Sequence, residues 1–201
     1  MKPAYPVETD RLLLRPFAVT DFEALLAIQS RADVARYLYW DPRTAAEVRE
    51  TLDTKVRATA IVAEGDSLSL AAVLRENGQL IGDCSLLWAS AEHRQAEIGF
   101  VFHPDHHGRG YATEAAAALL ALAFDGLRAH RVFGRLEERN TASARVLERL
   151  GMRKEAHLVE NEHLKGEWQS EVVYAQLERE WLSRRPGGGA GSAADPPGTT
   201  A

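Results

Sequence analysis

The 201-residue chain is 45% apolar and 26% charged, which suits one folded domain with its own core and excludes a low-complexity or fibrous chain. A net charge of −5 excludes the basic surface that non-specific nucleic-acid binding needs, so no nucleic-acid partner is expected. The single cysteine, Cys84, excludes an internal disulfide framework, and no apolar run approaches the ~18 residues of a membrane span.

The opening MKPAYPVETDR lacks the apolar centre of a signal peptide, so a soluble, cytoplasmic protein with no membrane partner is expected. Arg11–Phe17 is a short apolar run suited to a first strand. Thr20-Asp21-Phe22-Glu23 matches a capping box and is followed by Phe22, Leu25 and Leu26 at helical spacing. Val34, Tyr37 and Leu38 predict a further turn or two of helix. Thr44-x-x-Glu47 starts another helix, with Val48, Leu52 and Val56 along one face.

A meander of three strands follows: Leu68–Leu74, Leu80–Ala89 and Arg94–Phe102. Asn77-Gly78 supplies its first hairpin turn. Ala112–Leu127 is apolar nearly all round and predicts a buried helix. Arg131–Glu137 is the next strand. A strand–helix–strand crossover of this length favours a parallel pair. Asn140 caps another helix that stops at Gly151. Met152–Leu158 and Glu167–Leu177 are two closing strands around a charged turn at Glu160–Gly166. Glu178–Arg185 is a short helical end. Residues 186–201, rich in Gly, Pro, Ala and Ser, are expected to be a disordered tail, leaving one domain over residues 1–185.

The chain is organised around His106–Ala115, HHGRGYATEA, between a strand and a helix. Gly108 and Gly110 allow a tight turn, and the helix start presents unpaired N–H groups and a positive dipole end. With Arg109 beside them, this is an anion site suited to a phosphate or pyrophosphate. The bland alternative is a turn that happens to contain two glycines.

These features together resemble the GNAT superfamily of acyl-CoA-dependent N-acyltransferases, of the RimJ/RimL type. Three stretches carry the resemblance. The pyrophosphate-loop pattern Gln/Arg-x-x-Gly-x-Gly/Ala falls on His107-Gly108-Arg109-Gly110-Tyr111-Ala112, after Glu97-Ile98-Gly99-Phe100. Asn140-x-x-Ser143 opens a helix that ends at Leu150-Gly151-Met152. ETDRLLLRPF runs on into TDFEALL. His107 stands where the family usually has Gln or Arg. The resemblance implies an α/β (α+β) fold: a twisted, mainly antiparallel sheet whose fourth and fifth strands are parallel but splayed, flanked by helices. Those two strands are Arg94–Phe102 and Arg131–Glu137.

It also implies acetyl-CoA as co-substrate and an amine acceptor, either a protein N-terminal α-amine or a small molecule. A homodimer is one possible assembly. Cofactor contacts are expected from the backbone of Phe100, Val101 and Phe102, from His107, Gly108, Arg109, Gly110, Tyr111, Ala112 and Thr113, and from Asn140 and Ser143. An α-amine, with a pKa of about 7.7–8.0, needs only a modest base, whereas lysine at about 10.4 needs a stronger one. Glu97 on the strand beside the acetyl site is the first candidate base, and a solvent-facing carboxylate is its plainer reading. Ser143 is the candidate proton donor to the leaving thiolate, or a hydroxyl that only completes a helix start. Glu114 reads first as a helix-start carboxylate. The alternative to an enzyme is a catalytically silent acyl-CoA-binding protein on the same fold.

Other groups carry less. His103, Asp105, His106 and His107 lack the spacing of a zinc site, and no metal is expected. Tyr37, Tyr39, Trp40 and Trp88 suit either a substrate pocket or the core. Glu155, Glu160, Glu162, Glu167 and Glu171 read first as a solvated hairpin face, and second as an attractor for a cationic amine.

Overall fold

The computed structural model describes residues 1–184, and the expected tail at residues 186–201 lies outside them. Strands Val7–Glu8 (β1), Leu12–Pro16 (β2), Ser67–Leu74 (β3), Leu80–Ser90 (β4), Gln95–Phe102 (β5), Arg131–Glu137 (β6), Arg153–Leu164 (β7) and Glu167–Leu177 (β8) form one sheet. Its order is β1-β2-β3-β4-β5-β6-β8-β7, and only β5 and β6 run parallel. The helices are Phe22–Gln29 (α1), Ala32–Ala35 (α2), Ala45–Arg57 (α3), Tyr111–Ala121 (α4), Thr141–Arg149 (α5) and Glu178–Ser183 (α6).

Period-two patterning sorts the strands between two cores. In β3, Leu68, Leu70, Ala72 and Leu74 join the larger core beneath α4 and α5, while Ala71 and Val73 point to the smaller one beneath α1 and α3. Both faces are covered, which is why β3 reads as an unbroken apolar run over residues 70–74. The larger core includes Leu12, Leu14, Ile98, Phe102, Leu119, Leu120 and Leu147; the smaller includes Phe17, Leu25, Ile28, Val48 and Leu52.

The capping box at Thr44 forms as expected: the Glu47 carboxylate accepts the Thr44 N–H at 2.7 Å, and the Thr44 hydroxyl accepts the Glu47 N–H at 3.4 Å. The one at Thr20 does not. There a short 3₁₀ turn, Val19–Asp21, leads into α1, and the Asp21 carboxylate accepts the Ala18 N–H at 2.8 Å while pairing with Arg15 at 2.7 Å. Asp21 wins because Arg15 on the adjoining strand is close enough to anchor it. The closing hairpin also differs from expectation. β7 continues through Glu160–Glu162 to Leu164, and the turn is only Lys165-Gly166, with φ of 53° and 80°. Positive φ at both positions matches the twist of the strands. The predicted helix over 112–127 is α4, which widens into a π-helical turn at Leu122–Gly126.

β5 pairs with β6 only through Gln95–Arg131, Ala96–Val132 and Glu97–Phe133. Beyond that point each strand keeps its other neighbour, β4 or β8, to its end. The sheet therefore opens into a split flanked by Ile98–Phe102 and Gly134–Glu137.

Candidate active site

The split exposes backbone groups of one register class. His103 donates its N–H to the Ile81 carbonyl of the β4 side at 2.8 Å, so the odd-numbered residues of β5 face β4. Antiparallel alternation then turns the peptide groups of Ile98, Phe100 and Phe102 toward β6. Gly134 marks the mouth on β6. A Cβ there would lie 3.5 Å from the Ile98 carbonyl oxygen and 3.1 Å from Leu147 Cδ1. The Phe102 carbonyl is already occupied by His107 Nε2 at 2.9 Å. Of the three expected strand contacts, Phe100 offers both its N–H and its carbonyl to the split, and Phe102 its N–H. Val101 turns its own toward β4 and packs its side chain in the smaller core. Ile98, which sequence reasoning passed over, joins Phe100 with its carbonyl only, its N–H being taken by the last rung of the β5–β6 ladder. Only the alternation of the finished ladder shows which residues these are.

The glycine-rich loop follows β5. Gly108 and Gly110 have φ of +74° and +81°, a region that glycine enters without strain. A Cβ at Gly108 would meet nothing within 4 Å, so the loop borders open space. Among the described residues the N–H groups of Gly108, Arg109 and Gly110 have no acceptor, and those of Tyr111, Ala112 and Thr113 form the open first turn of α4. The loop thus holds a run of donors and one cation, Arg109, beside open space. That chemistry fits a pyrophosphate, the group by which the expected acetyl-CoA would be held. His106, its ring tilted against Tyr111, has its pKa held down by burial and by neighbouring Arg109.

Asn140 and Ser143 stand at the start of α5, on the α4 side of the sheet. The Asn140 side chain accepts the Ser143 N–H at 3.1 Å, which makes Asn140 the predicted N-cap. That bond uses the Ser143 backbone, so the half-buried hydroxyl is left to other partners.

Glu97 projects to the opposite face, under α1 and α3. Arg135 grips it with both forks of the guanidinium, Nε to Oε1 and Nη2 to Oε2, each at 3.1 Å. This pair raises the Arg135 pKa further, the hydrogen bond to Glu97 being the main cause. Beside it Tyr39 donates its hydroxyl to Glu171 Oε2 at 2.7 Å. Burial, then the Glu171 bond and the Glu171 and Glu162 charges, push the Tyr39 pKa well up, so the hydroxyl stays protonated. Tyr37, Tyr39, Glu137, Glu162, Gln169 and Glu171 line one cleft. Glu171 and Glu137 oppose each other on β8 and β6, and both are buried.

The solvated-face reading of the acidic segment therefore holds for only part of it. Glu155 pairs with Arg131 and Arg153, and Glu167 with Arg139, while Glu162 and Glu171 face the cleft. Arg135 and the Tyr39–Glu171 bond were missed. Period two on β6 puts Arg135 on the face of Phe133, but its approach to Glu97 depends on the parallel register. Trp88 packs against the larger core, and Trp40 lies under Arg43. Among the described residues no cluster of His, Cys, Asp and Glu is arranged for a metal ion, and no helix is long and apolar enough to cross a membrane.

The family model described as an acetyltransferase (GNAT) domain matches residues 11–153. The uncharacterized N-acetyltransferase YnaD of Bacillus subtilis is 33% identical over 178 residues, covering 87% of this chain and 98% of that protein. YdaF of the same organism, whose provisional name is ribosomal N-acetyltransferase, is 29% identical over 86% of this chain and 94% of its own length. The crystal structure of a GNAT-family acetyltransferase from Bacillus anthracis superposes with a TM-score of 0.78 at 32% identity, covering 86% of this chain and 98% of that one.

Proposed function

The chain belongs to the GNAT acetyltransferase family, whose members transfer the acetyl group of acetyl-CoA to an amine, and within that family we propose that it is a RimJ/RimL-type enzyme acting by direct attack of the amine. The observation that carries this reading is the early end of the β5–β6 pairing, with the donor-rich glycine loop at the end of β5. The opening ETDRLLLRPF, the Asn140-x-x-Ser143 helix start and the likeness to YdaF support the subtype, which points to a protein N-terminal α-amine as acceptor.

Acetyl-CoA supplies the activated acyl group. The amides of residues 108–113 bind its pyrophosphate, the His107 N–H being already donated to the Pro104 carbonyl, and Asn140 and Ser143 border its arm from the α5 side. The N–H of Phe100, past the last rung of the β5–β6 ladder, donates to oxygen at the reacting carbonyl. The amine enters from the face of α1 and α3, along the cleft of Tyr39, Glu162 and Glu171, whose carboxylates favour a cation. Glu97 accepts the proton of the attacking amine, and the Ser143 hydroxyl donates to the leaving sulfur. These roles occupy opposite faces of one split, which lets donor and acceptor reach it without crossing. The catalytic domain spans residues 1–185, in a cytoplasmic protein.

Thiol release from acetyl-CoA, measured with a panel of N-terminal peptides, polyamines and small amines, tests the reading. Release with peptides is the expected result. Tight acetyl-CoA binding without release on any acceptor would overturn it, and release with polyamines alone would overturn the subtype.

A further inference from the structure

The opening motif contributes a residue that the chemistry above leaves without a role. Arg11, at the entry to β2, reaches across to the glycine loop. Its backbone N–H and its Nε donate to the two oxygens of Glu114, each at 2.7 Å, and its Nη1 donates to the Arg109 carbonyl at 2.9 Å. Its guanidinium lies over the Tyr111 ring, 4.6 Å from the centroid. Thr9 completes the assembly by donating its hydroxyl to Glu114 Oε1 at 2.6 Å. Burial alone would raise the Glu114 pKa, but the bonds from Thr9 and Arg11 outweigh it and hold the group as a carboxylate.

The consequence lies in one peptide plane. In a trans peptide the C=O and the following N–H point in opposite directions. Arg11 holds the Arg109 carbonyl on the β2 side of the loop. The Gly110 N–H is therefore turned away from β2, and it has no acceptor among the described residues. A loop with φ of +74° and +81° at two glycines has several conformations open to it, so such a restraint matters here more than in a helix. The bond between Arg11 and Arg109 closes 98 residues of sequence, and the loop could not make it locally.

We propose that Arg11 is a positioning residue for the phosphate loop: clamped by Glu114 and Thr9, it holds the Arg109–Gly110 peptide so that the Gly110 N–H is preset toward the pyrophosphate. The proposal rests on the phosphate-loop reading above. Arg11 itself touches neither acyl group nor amine, so its effect falls on cofactor affinity and leaves the acceptor alone. Lysine cannot replace it, because one ammonium cannot grip the carboxylate with a fork and hold the carbonyl together.

Titration calorimetry of the wild type, Arg11→Ala and Arg11→Lys with CoA and with pantetheine, which lacks the phosphates, tests this. Both variants are expected to lose about tenfold in CoA affinity, the scale of one charge-assisted hydrogen bond, with pantetheine affinity unchanged. Arg11→Lys is expected to melt with the wild type, which keeps the test available if Arg11→Ala does not fold. Full recovery of CoA affinity by Arg11→Lys would overturn the proposal, because charge alone would then suffice. Equal losses on CoA and pantetheine would also overturn it, by showing general damage. If wild-type protein binds CoA no more tightly than pantetheine, the phosphate-loop reading falls and the proposal with it.

Discussion

Arg135 and Glu97 form a two-pronged ion pair, both contacts at 3.1 Å, across the place where β5 and β6 separate. The pair joins the two walls of the split on the face proposed for the acceptor and fixes the carboxylate at its mouth. Glu97→Gln keeps the size of the side chain and removes its basicity. It is expected to lower kcat by about a hundredfold, within the range of general-base contributions, while the KM for acetyl-CoA stays unchanged. Steady-state kinetics with both substrates varied checks this. An unchanged kcat would assign Glu97 to holding Arg135 alone.

Ser143→Ala tests the proton donor on the opposite face. Since Asn140 caps α5 through the Ser143 backbone, the substitution leaves the cap in place. The expected result is a fall in kcat of about tenfold with the melting temperature unchanged, because the thiolate, like a cysteine side chain of pKa about 8.5, leaves tolerably near neutral pH without help. Asn140→Ala should do the reverse on stability, costing about 1 kcal/mol through the lost cap. Thermal melts beside the kinetics separate the two effects.

Tyr39→Phe removes the hydroxyl that holds Glu171 in the cleft. The KM for the amine is expected to rise by about tenfold, the scale of a hydrogen bond to a charged group, while the KM for acetyl-CoA stays the same. Because the Tyr39 pKa is pushed up, the hydroxyl remains a donor through the neutral and mildly alkaline range. Wild type and variant should therefore share one alkaline limb in their pH–rate profiles. A limb that moves with the substitution would show that Tyr39 itself titrates there.

The Glu114 carboxylate carries a stability signature. Its folded pKa is depressed, so the folded state binds the proton more weakly than the unfolded state, where the value is about 4.3. The resulting stabilisation is present above that unfolded value and is lost as pH falls through the folded one. Wild type should melt above Glu114→Gln by a constant margin between neutral pH and about pH 5, and the margin should close below about pH 4. Melting curves across that range provide the check, and a margin independent of pH would exclude the charge as its source.

Much of this was legible without coordinates because it is local. The box at Thr44, the turn at Asn77-Gly78 and the cap at Asn140 each depend on residues within a few positions of one another. Thr20 shows where that logic stops. It carries the right residues for a cap, yet Asp21 takes over once β2 brings Arg15 beside it. The charged turn expected over Glu160–Gly166 shrank to two residues because pairing with β8 extends β7 to Leu164.

The sequence by itself determined the order of elements, the glycine loop between a strand and a buried helix, and the family. Those follow from periodicity, capping and φ preferences, which act along the chain. Only the tertiary structure decided which peptide groups of β5 face the split, that Arg135 holds Glu97, that Tyr39 meets Glu171, and that Arg11 reaches the loop. Each depends on strand register or on contacts between distant segments, and a shift of one residue in register would turn every such side chain to the other face.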